Sequence, residues 1–466
     1  MLISPLVLVR LLSVEDFGRY REFLLYSTVL LNLCALGINS SLLRFVPDRP
    51  ELKWHYVAQT ALLTFASSLL ITGSAWLLDV LLDGKVLGEF AVPAVLYVLL
   101  FANLDFWEFL WLAEKRKYAV LSYTTARIVA RMTTVIVAAA LSRDVNVIAW
   151  SLVCFEAARL LISFVAWRRR AEPPKGDTTG SWREQLSYCV PFAGSMVTAA
   201  LNRSMGSLFV TKLLGPVALA HYAVGTYVAP VITVLRNSIS DVLLPEMVSR
   251  ERQGETDRLA LFRRTTVLTA IFLVAAGVVL GRYAEILVTT LFSEEYRPAV
   301  LLFQVFLLVF LRDSLDFGVP MRAINRTSAI MQGNLIAMAI NGVLLAVLLP
   351  TVGLIGAVCA FVVSKFAEGF YLGTRLAKAY EVSFRQIAAW SDLGKVLIAA
   401  AIAALVLYTD FWTDHLGFFG IFAGGFIFLL AFAAMLVLFG IPEMLKLLRQ
   451  VRAFLPFRLG NDEVMK

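Results

Sequence analysis

Fourteen ionisable side chains lie inside long apolar runs of this chain: Asp105, Glu108, Arg127, Arg131, Glu156, Arg159, Arg203, Arg236, Asp241, Arg312, Asp313, Asp316, Lys365 and Glu368, seven basic and seven acidic. A charge in such a place costs about 2.5–3.5 kcal/mol on membrane-insertion scales, so it faces a partner, a cavity or a ligand. Two chemistries suit the set. Guanidinium and ammonium groups hold phosphate or carboxylate, Arg in a fixed fork, and carboxylates serve ion coupling. Spacing neutralises part of it, because Glu156 and Arg159, and Lys365 and Glu368, are i,i+3 pairs on single helix faces. Folding the short hairpins about their turns also brings Asp105 level with Arg127, and Arg131 level with Glu156. Buried salt bridges between helices and a ligand site are therefore both open readings.

Depth favours a ligand site for the basic members. Asp105, Glu108, Asp241, Asp313 and Asp316 fall toward the cytoplasmic ends of their spans, whereas Arg127, Arg131, Arg159, Arg203 and Lys365 fall nearer the middle. Arg203 has no acid in its own span, and hairpin folding sets it opposite the Val231 region, so it is the strongest single candidate for an anion. The substrate-binding candidates are Arg203, Arg127, Arg131, Arg159, Arg236 and Lys365; the ion-coupling candidates are Asp105, Glu156 and Glu368.

Other chemistries find no support. Cys34, Cys154, Cys189 and Cys359 show no CxxC spacing, and His55, His221 and His415 form no cluster, so neither a disulfide framework nor a metal centre is expected. No phosphate-binding loop is present, no cofactor is implied, and the energy source is expected to be an ion gradient or substrate consumption. The net charge of +8 resides in short loops, where it sets membrane orientation and does not indicate nucleic acid.

The scaffold that must position these side chains is membrane-spanning. Of 466 residues, 59% are hydrophobic and 16% charged, and mean hydropathy is +0.77. Apolar runs of about 20 residues recur along the chain, each long enough to cross as a helix and too uninterrupted for barrel strands. An all-α polytopic protein follows. Spans are expected at about 22–45, 54–82, 90–113, 118–141 and 145–167. Before them Met1–Val9 reads as the second half of a helix, from a start set too far downstream or a genuine half-helix, the former being favoured. A second set of six follows at about 186–214, 220–245, 262–291, 298–320, 328–349 and 353–377, and two more at 393–409 and 416–439, fourteen in all. The expected domains are a six-helix lobe over 1–167, a polar linker over 168–185, a second lobe over 186–380, two additional helices over 381–440, and a tail over 441–466. That tail carries an amphipathic stretch (442–459) suited to an interfacial helix or to docking on its own protein. Lys and Arg concentrate in alternate loops, which puts the linker and the C-terminus in the cytoplasm. No loop on the opposite side exceeds about a dozen residues, which argues against a catalytic domain there. Pro93, Pro191, Gly194, Gly225 and Pro230 are candidate hinges, and tryptophans near span ends suit an aromatic belt.

The two sets of six echo each other. VRLLSVEDFGRY, a hydrophobic helix and SSLLRFVP, over Val9–Pro47, return as TKLLGPVALAHY, another such helix and DVLLPEM, so that Arg10, Leu11, Leu12 and Tyr20 fall on Lys212, Leu213, Leu214 and Tyr222. Because six is even, the halves would be parallel repeats. The opening motif and the 6+6+2 plan resemble the polysaccharide-type flippases of the MOP superfamily, the Wzx group. The resemblance covers essentially the whole chain, save the missing front of the first helix, and implies a carrier of lipid-linked oligosaccharides, typically undecaprenyl-pyrophosphate-linked, across the bacterial inner membrane between two lobes. It implies membrane lipids and polysaccharide polymerase or glycosyltransferase machinery as partners, and makes the protein a transporter and not an enzyme. A MATE-like drug/cation antiporter shares the fold but needs unpaired acids, and a polymerase or ligase would need a large extracytoplasmic loop.

Overall fold

A computed structural model describes residues 3–35, 37–170, 181–253, 259–408 and 419–445, and among them the chain is helical throughout with no strand. The first part of the chain comprises α1 (Ile3–Leu11), α2 (Val14–Ala35), α3 (Leu42–Asp48), α4 (Lys53–Leu81), α5 (Ala91–Ala102), α6 (Phe106–Ala113), α7 (Lys117–Ser142) and α8 (Val145–Arg170). The second comprises α9 (Ser181–Gly225), α10 (Ala229–Gln253), α11 (Ala260–Arg282), α12 (Ala284–Leu291), α13 (Ala299–Phe306), α14 (Val309–Asp313), α15 (Gly318–Ala323), α16 (Thr327–Val352) and α17 (Leu354–Ala379); α18 (Trp390–Ala404) and α19 (Phe419–Leu438) come last. Most of the expected linker and tail lies outside the described residues.

Among the described residues, ten helices are long and apolar enough to cross a membrane, or eleven when the bent pair Val14–Cys34 and Asn39–Asp48 is taken as one span. Length and composition thus account for ten or eleven of the fourteen expected segments. The others are the nine-residue α1 and the expected spans over 220–245 and 298–320, both interrupted, as is the span over 90–113 that does qualify.

Those interruptions were not visible as apolar periodicity. The span expected over 90–113 breaks at residues 103–105 without glycine or proline, where Asn103 Nδ2 donates to the Leu99 carbonyl at 2.7 Å and to Ser68 Oγ at 3.2 Å. The span expected over 298–320 breaks at 307–308 and again at 314–317, and that over 220–245 breaks at 226–228. The second span starts well before residue 22, because Ser13 caps α2: its Oγ accepts from the Asp16 amide at 3.1 Å and donates to the Asp16 carboxylate at 2.7 Å.

Packing divides the chain into two compact units. One holds Met1–Val224, Thr289–Ala299 and Ala337–Phe361; the other holds Gly225–Val288, Val300–Ile336 and Val362–Lys466. In the first, a core of Leu42, Tyr56, Val57, Phe106 and Trp107 gathers Trp54 and Trp167 around it. Trp107, expected in an aromatic belt, is instead 3% exposed. In the second, α18 and α19 bury Val396, Ala399, Phe428 and Phe432 against Val267, Ala270 and Val274 of α11.

The two copies of the repeated motif meet inside the first unit. Ser13 and Gly215 mark the equivalent breaks, Ser13 as a cap and Gly215 at φ +83°, a conformation that only glycine adopts without strain. At Gly18 a Cβ would lie 2.1 Å from the Pro216 carbonyl oxygen, so the close approach of the two turns requires the missing side chain. Each copy also serves the other half. Arg10 donates to the Thr290 carbonyl at 2.8 Å, and Lys212, its equivalent, donates to the carbonyls of Lys85 and Val86 at 2.8 and 3.0 Å.

Candidate functional site

The break between α5 and α6 places Asp105 immediately before α6 and Glu108 in its first turn, facing α7 and α8. Arg127 on α7 spans both acids, Nη1 to Asp105 at 3.0 Å and Nη2 to Glu108 at 2.9 Å. Arg159 on α8 binds Glu156 on the same helix face, approaches Asp105 at 4.0 Å, and donates from Nε to the Tyr123 hydroxyl at 3.2 Å. Glu156 is fully buried. The hairpin expectation therefore holds for Asp105 and Arg127. It does not produce an ion pair between Arg131 and Glu156: Arg131 lies over the rings of Tyr97 and Phe101, at 5.4 and 5.8 Å. Phe101 also carries Arg127 and Arg159, at 5.7 and 5.5 Å. Its π face lets three like charges gather at less cost.

The second unit builds a comparable set around its own interrupted span. Arg312 and Asp313 end α14; Arg312 reaches Glu368 on α17 at 3.3 Å, Asp313 at 3.4 Å and the Lys365 carbonyl at 3.2 Å. Lys365 reaches Glu368 at 2.7 Å. Arg236 on α10 stands 3.7 Å from Asp313 and 4.0 Å from Asp316. In each set three bases face three acids, so each is close to neutral. Neutrality is how charge is tolerated at low dielectric, and it makes the contacts weak evidence for stability in themselves.

Four of the six binding candidates, Arg127, Arg159, Arg236 and Lys365, therefore have acidic partners, as do the ion-coupling candidates Asp105, Glu156 and Glu368. Arg131 and Arg203 stand apart. Arg203 on α9 is exposed and has no hydrogen bond or ion pair among the described residues, while its neighbour Asn202 is buried and accepts from Asn341 at 3.2 Å. Arg131 lines a cavity of about 130 Å³ with Tyr20 and Arg21 of α2, Ser4 of α1 and apolar side chains. Tyr20 and Arg21 escaped the sequence reading because the second span was started at Glu22; the Ser13-x-x-Asp16 capping signal was the clue that moves its start.

A family model described as polysaccharide biosynthesis protein matches residues 7–301. The capsular polysaccharide biosynthesis protein CapF of Staphylococcus aureus is 23% identical over 193 residues, 41% of this chain, and the match spans 49% of CapF. Among solved structures, the fold is similar to lipid II flippase MurJ in an inward closed conformation, with a TM-score of 0.68 at 15% identity over 94% of this chain and 97% of that one. It is also similar to an inward-facing multidrug resistance MATE family transporter of the MOP superfamily, with a TM-score of 0.59 at 13% identity over 82% and 95%. At these identities the likeness is one of fold, whereas the family match covers well over half the chain. The chain therefore belongs to the polysaccharide biosynthesis protein family, as a multi-pass membrane protein built on the fold of MOP-superfamily transporters.

Proposed function

We propose that this protein is a flippase that moves a lipid-linked oligosaccharide, of the undecaprenyl-pyrophosphate type, across the bacterial cytoplasmic membrane by alternating access between the 1–167 and 186–380 lobes. The linker and C-terminus face the cytoplasm. The observation that carries the proposal is Arg131: a half-buried guanidinium without an ion pair among the described residues, in a cavity whose lining holds no acid, in a chain of a polysaccharide-biosynthesis family. A guanidinium suits phosphate oxygens, and apolar walls suit a lipid carrier. Arg203 adds a second acid-free guanidinium. Polymerase or glycosyltransferase machinery would supply and consume the glycan on either side of the membrane.

The second reading, an ion-coupled drug/cation antiporter, is favoured by the similarity to MATE transporters. Against it, the ion-coupling candidates Asp105, Glu156 and Glu368 each have a basic partner. Proteoliposomes that report translocation of an undecaprenyl-pyrophosphate-linked oligosaccharide decide the matter. Arg131→Ala and Arg203→Ala should each lower the rate at least about tenfold with protein levels retained, and Arg→Lys should keep part of it, because a point charge attracts phosphate without reproducing the fork. Folded Ala variants working at the wild-type rate would refute the anion role. Transport of organic cations in place of the glycan would establish the antiporter.

A further inference from the structure

Within the first compact unit, α9 is fastened near both of its ends to elements that precede it in the chain. Toward its C-terminal end, Lys212 holds the carbonyls of Lys85 and Val86, and Pro216 meets Gly18. About 40 Å back along the helix, at 1.5 Å per residue, the fastening is a single amide in the second turn of α9. Gln185 Nε2 donates to Ser41 Oγ, just before α3, and to Thr60 Oγ1 of α4, each at 2.8 Å. All three residues are 0% exposed. Ser41 Oγ donates its own hydrogen to the Ile38 carbonyl at 2.6 Å, so it can only accept from Gln185, and this fixes which way the amide points. Gln185 Oε1 is left buried with no hydrogen-bond partner among the described residues. An amide that meets only its donor half in the closed contact gains a partner for its carbonyl as soon as the helix end moves into water. The neighbouring pair Arg49–Glu184 adds little, since its side chains are 44% and 45% exposed.

We propose that Gln185 is a releasable latch: with Ser41 and Thr60 it holds the first turns of α9 against α3 and α4, closing the cytoplasmic end of the transport pathway, and it must part for substrate to pass. The side assignment and the link to transport rest on the flippase reading above; the latch itself does not. The two ends of α9 differ in the way such a latch requires. The Lys212 end combines a cation on two carbonyls with a close approach of backbone, whereas the Gln185 end depends on one half-satisfied side chain. A reporter is built in. Cys189, one turn after Gln185 on the same helix face, is 3% exposed, so its thiol is covered while the latch is closed and meets water when it parts.

The rate at which N-ethylmaleimide alkylates Cys189, in purified full-length protein carrying Cys34→Ala, Cys154→Ala and Cys359→Ala, reads the latch. Thr60→Val removes one acceptor at almost unchanged volume, and Gln185→Met removes the amide at similar length. Each should raise the alkylation rate about tenfold in protein that stays monodisperse, with an unfolding midpoint near that of the parent. A merely structural pairing predicts lower unfolding midpoints with the alkylation rate of the folded protein unchanged, and that result overturns the latch. Gating has its own test. In a chain without its native cysteines, Gln185→Cys and Thr60→Cys joined by a bis-methanethiosulfonate linker should stop translocation of an undecaprenyl-pyrophosphate-linked oligosaccharide in proteoliposomes, and reductant should restore it. Translocation unaffected by the linker, or not restored by reductant, overturns the gate. If the wild type moves no such glycan, the flippase reading fails and the alkylation rates still decide the latch.

Discussion

Arg159 shows how one side chain can be bound to several neighbours and still be a liability. It neutralises Glu156, which is fully buried, and reaches Tyr123 and the Phe101 ring. Removing one member of such a pair leaves an uncompensated buried charge and costs about 3–5 kcal/mol, whereas replacing both with apolar or neutral groups of similar volume is often tolerated. Arg159→Met should therefore greatly reduce the folded fraction, and Glu156→Gln combined with Arg159→Met should restore much of it. Thermal unfolding in detergent compares the two. If the double variant is as unstable as the single one, the pair is not the source of the loss. Arg131 predicts the opposite pattern, because it has ring contacts and no ion pair among the described residues. Its removal breaks no ion pair among the described residues.

At the scale of helices, the breaks and the turns decide where chemistry is presented. Gly18 touches the Pro216 carbonyl through its missing side chain, and Gly215 has φ +83°. Gly18→Ala should force the two turns apart, and Gly215→Ala should lose about 1–2 kcal/mol by placing an L side chain in the left-handed region. Gly73, in the middle of α4, has nothing within 4 Å of its would-be Cβ. Gly73→Ala should be neutral or stabilising, by up to about 1 kcal/mol, because alanine favours the helix. Midpoints of thermal unfolding for the three variants test the assignment. A Gly18→Ala protein as stable as Gly73→Ala would show that the turns do not need their close approach.

For the whole molecule, orientation is the property that loop charge controls. With Lys and Arg concentrated in alternate loops, single cysteines placed at Lys175 or Gly176, outside the described residues, should be shielded from membrane-impermeant thiol reagents in intact cells. Ready labelling there would invert the topology.

What the sequence determined by itself is what depends on near neighbours in the chain. Apolar runs of spanning length gave the all-helical membrane class, and loop charge gave an orientation to test. The i,i+3 spacing gave Glu156 with Arg159 and Lys365 with Glu368, since 3.6 residues per turn fixes those contacts whatever packs around them. The repeated motif was legible because duplicated turns keep their residue types. Asp105 with Arg127 was legible as well, one short hairpin being enough to bring them level. The tertiary structure decided the rest. The break at 103–105 contains neither glycine nor proline and is held in part by Ser68, far away in sequence. Arg131 found rings and a cavity in place of Glu156, because the rotation of α7 and α8 about their axes is set by packing and not by depth. Arg10 caps a carbonyl in the last turn of α12 and Lys212 caps carbonyls of the loop after α4, each in the opposite half, a reciprocity that no local pattern encodes. Which buried charges are neutralised, and which remain available, follows from contacts between distant segments, and those exist only once the helices are assembled.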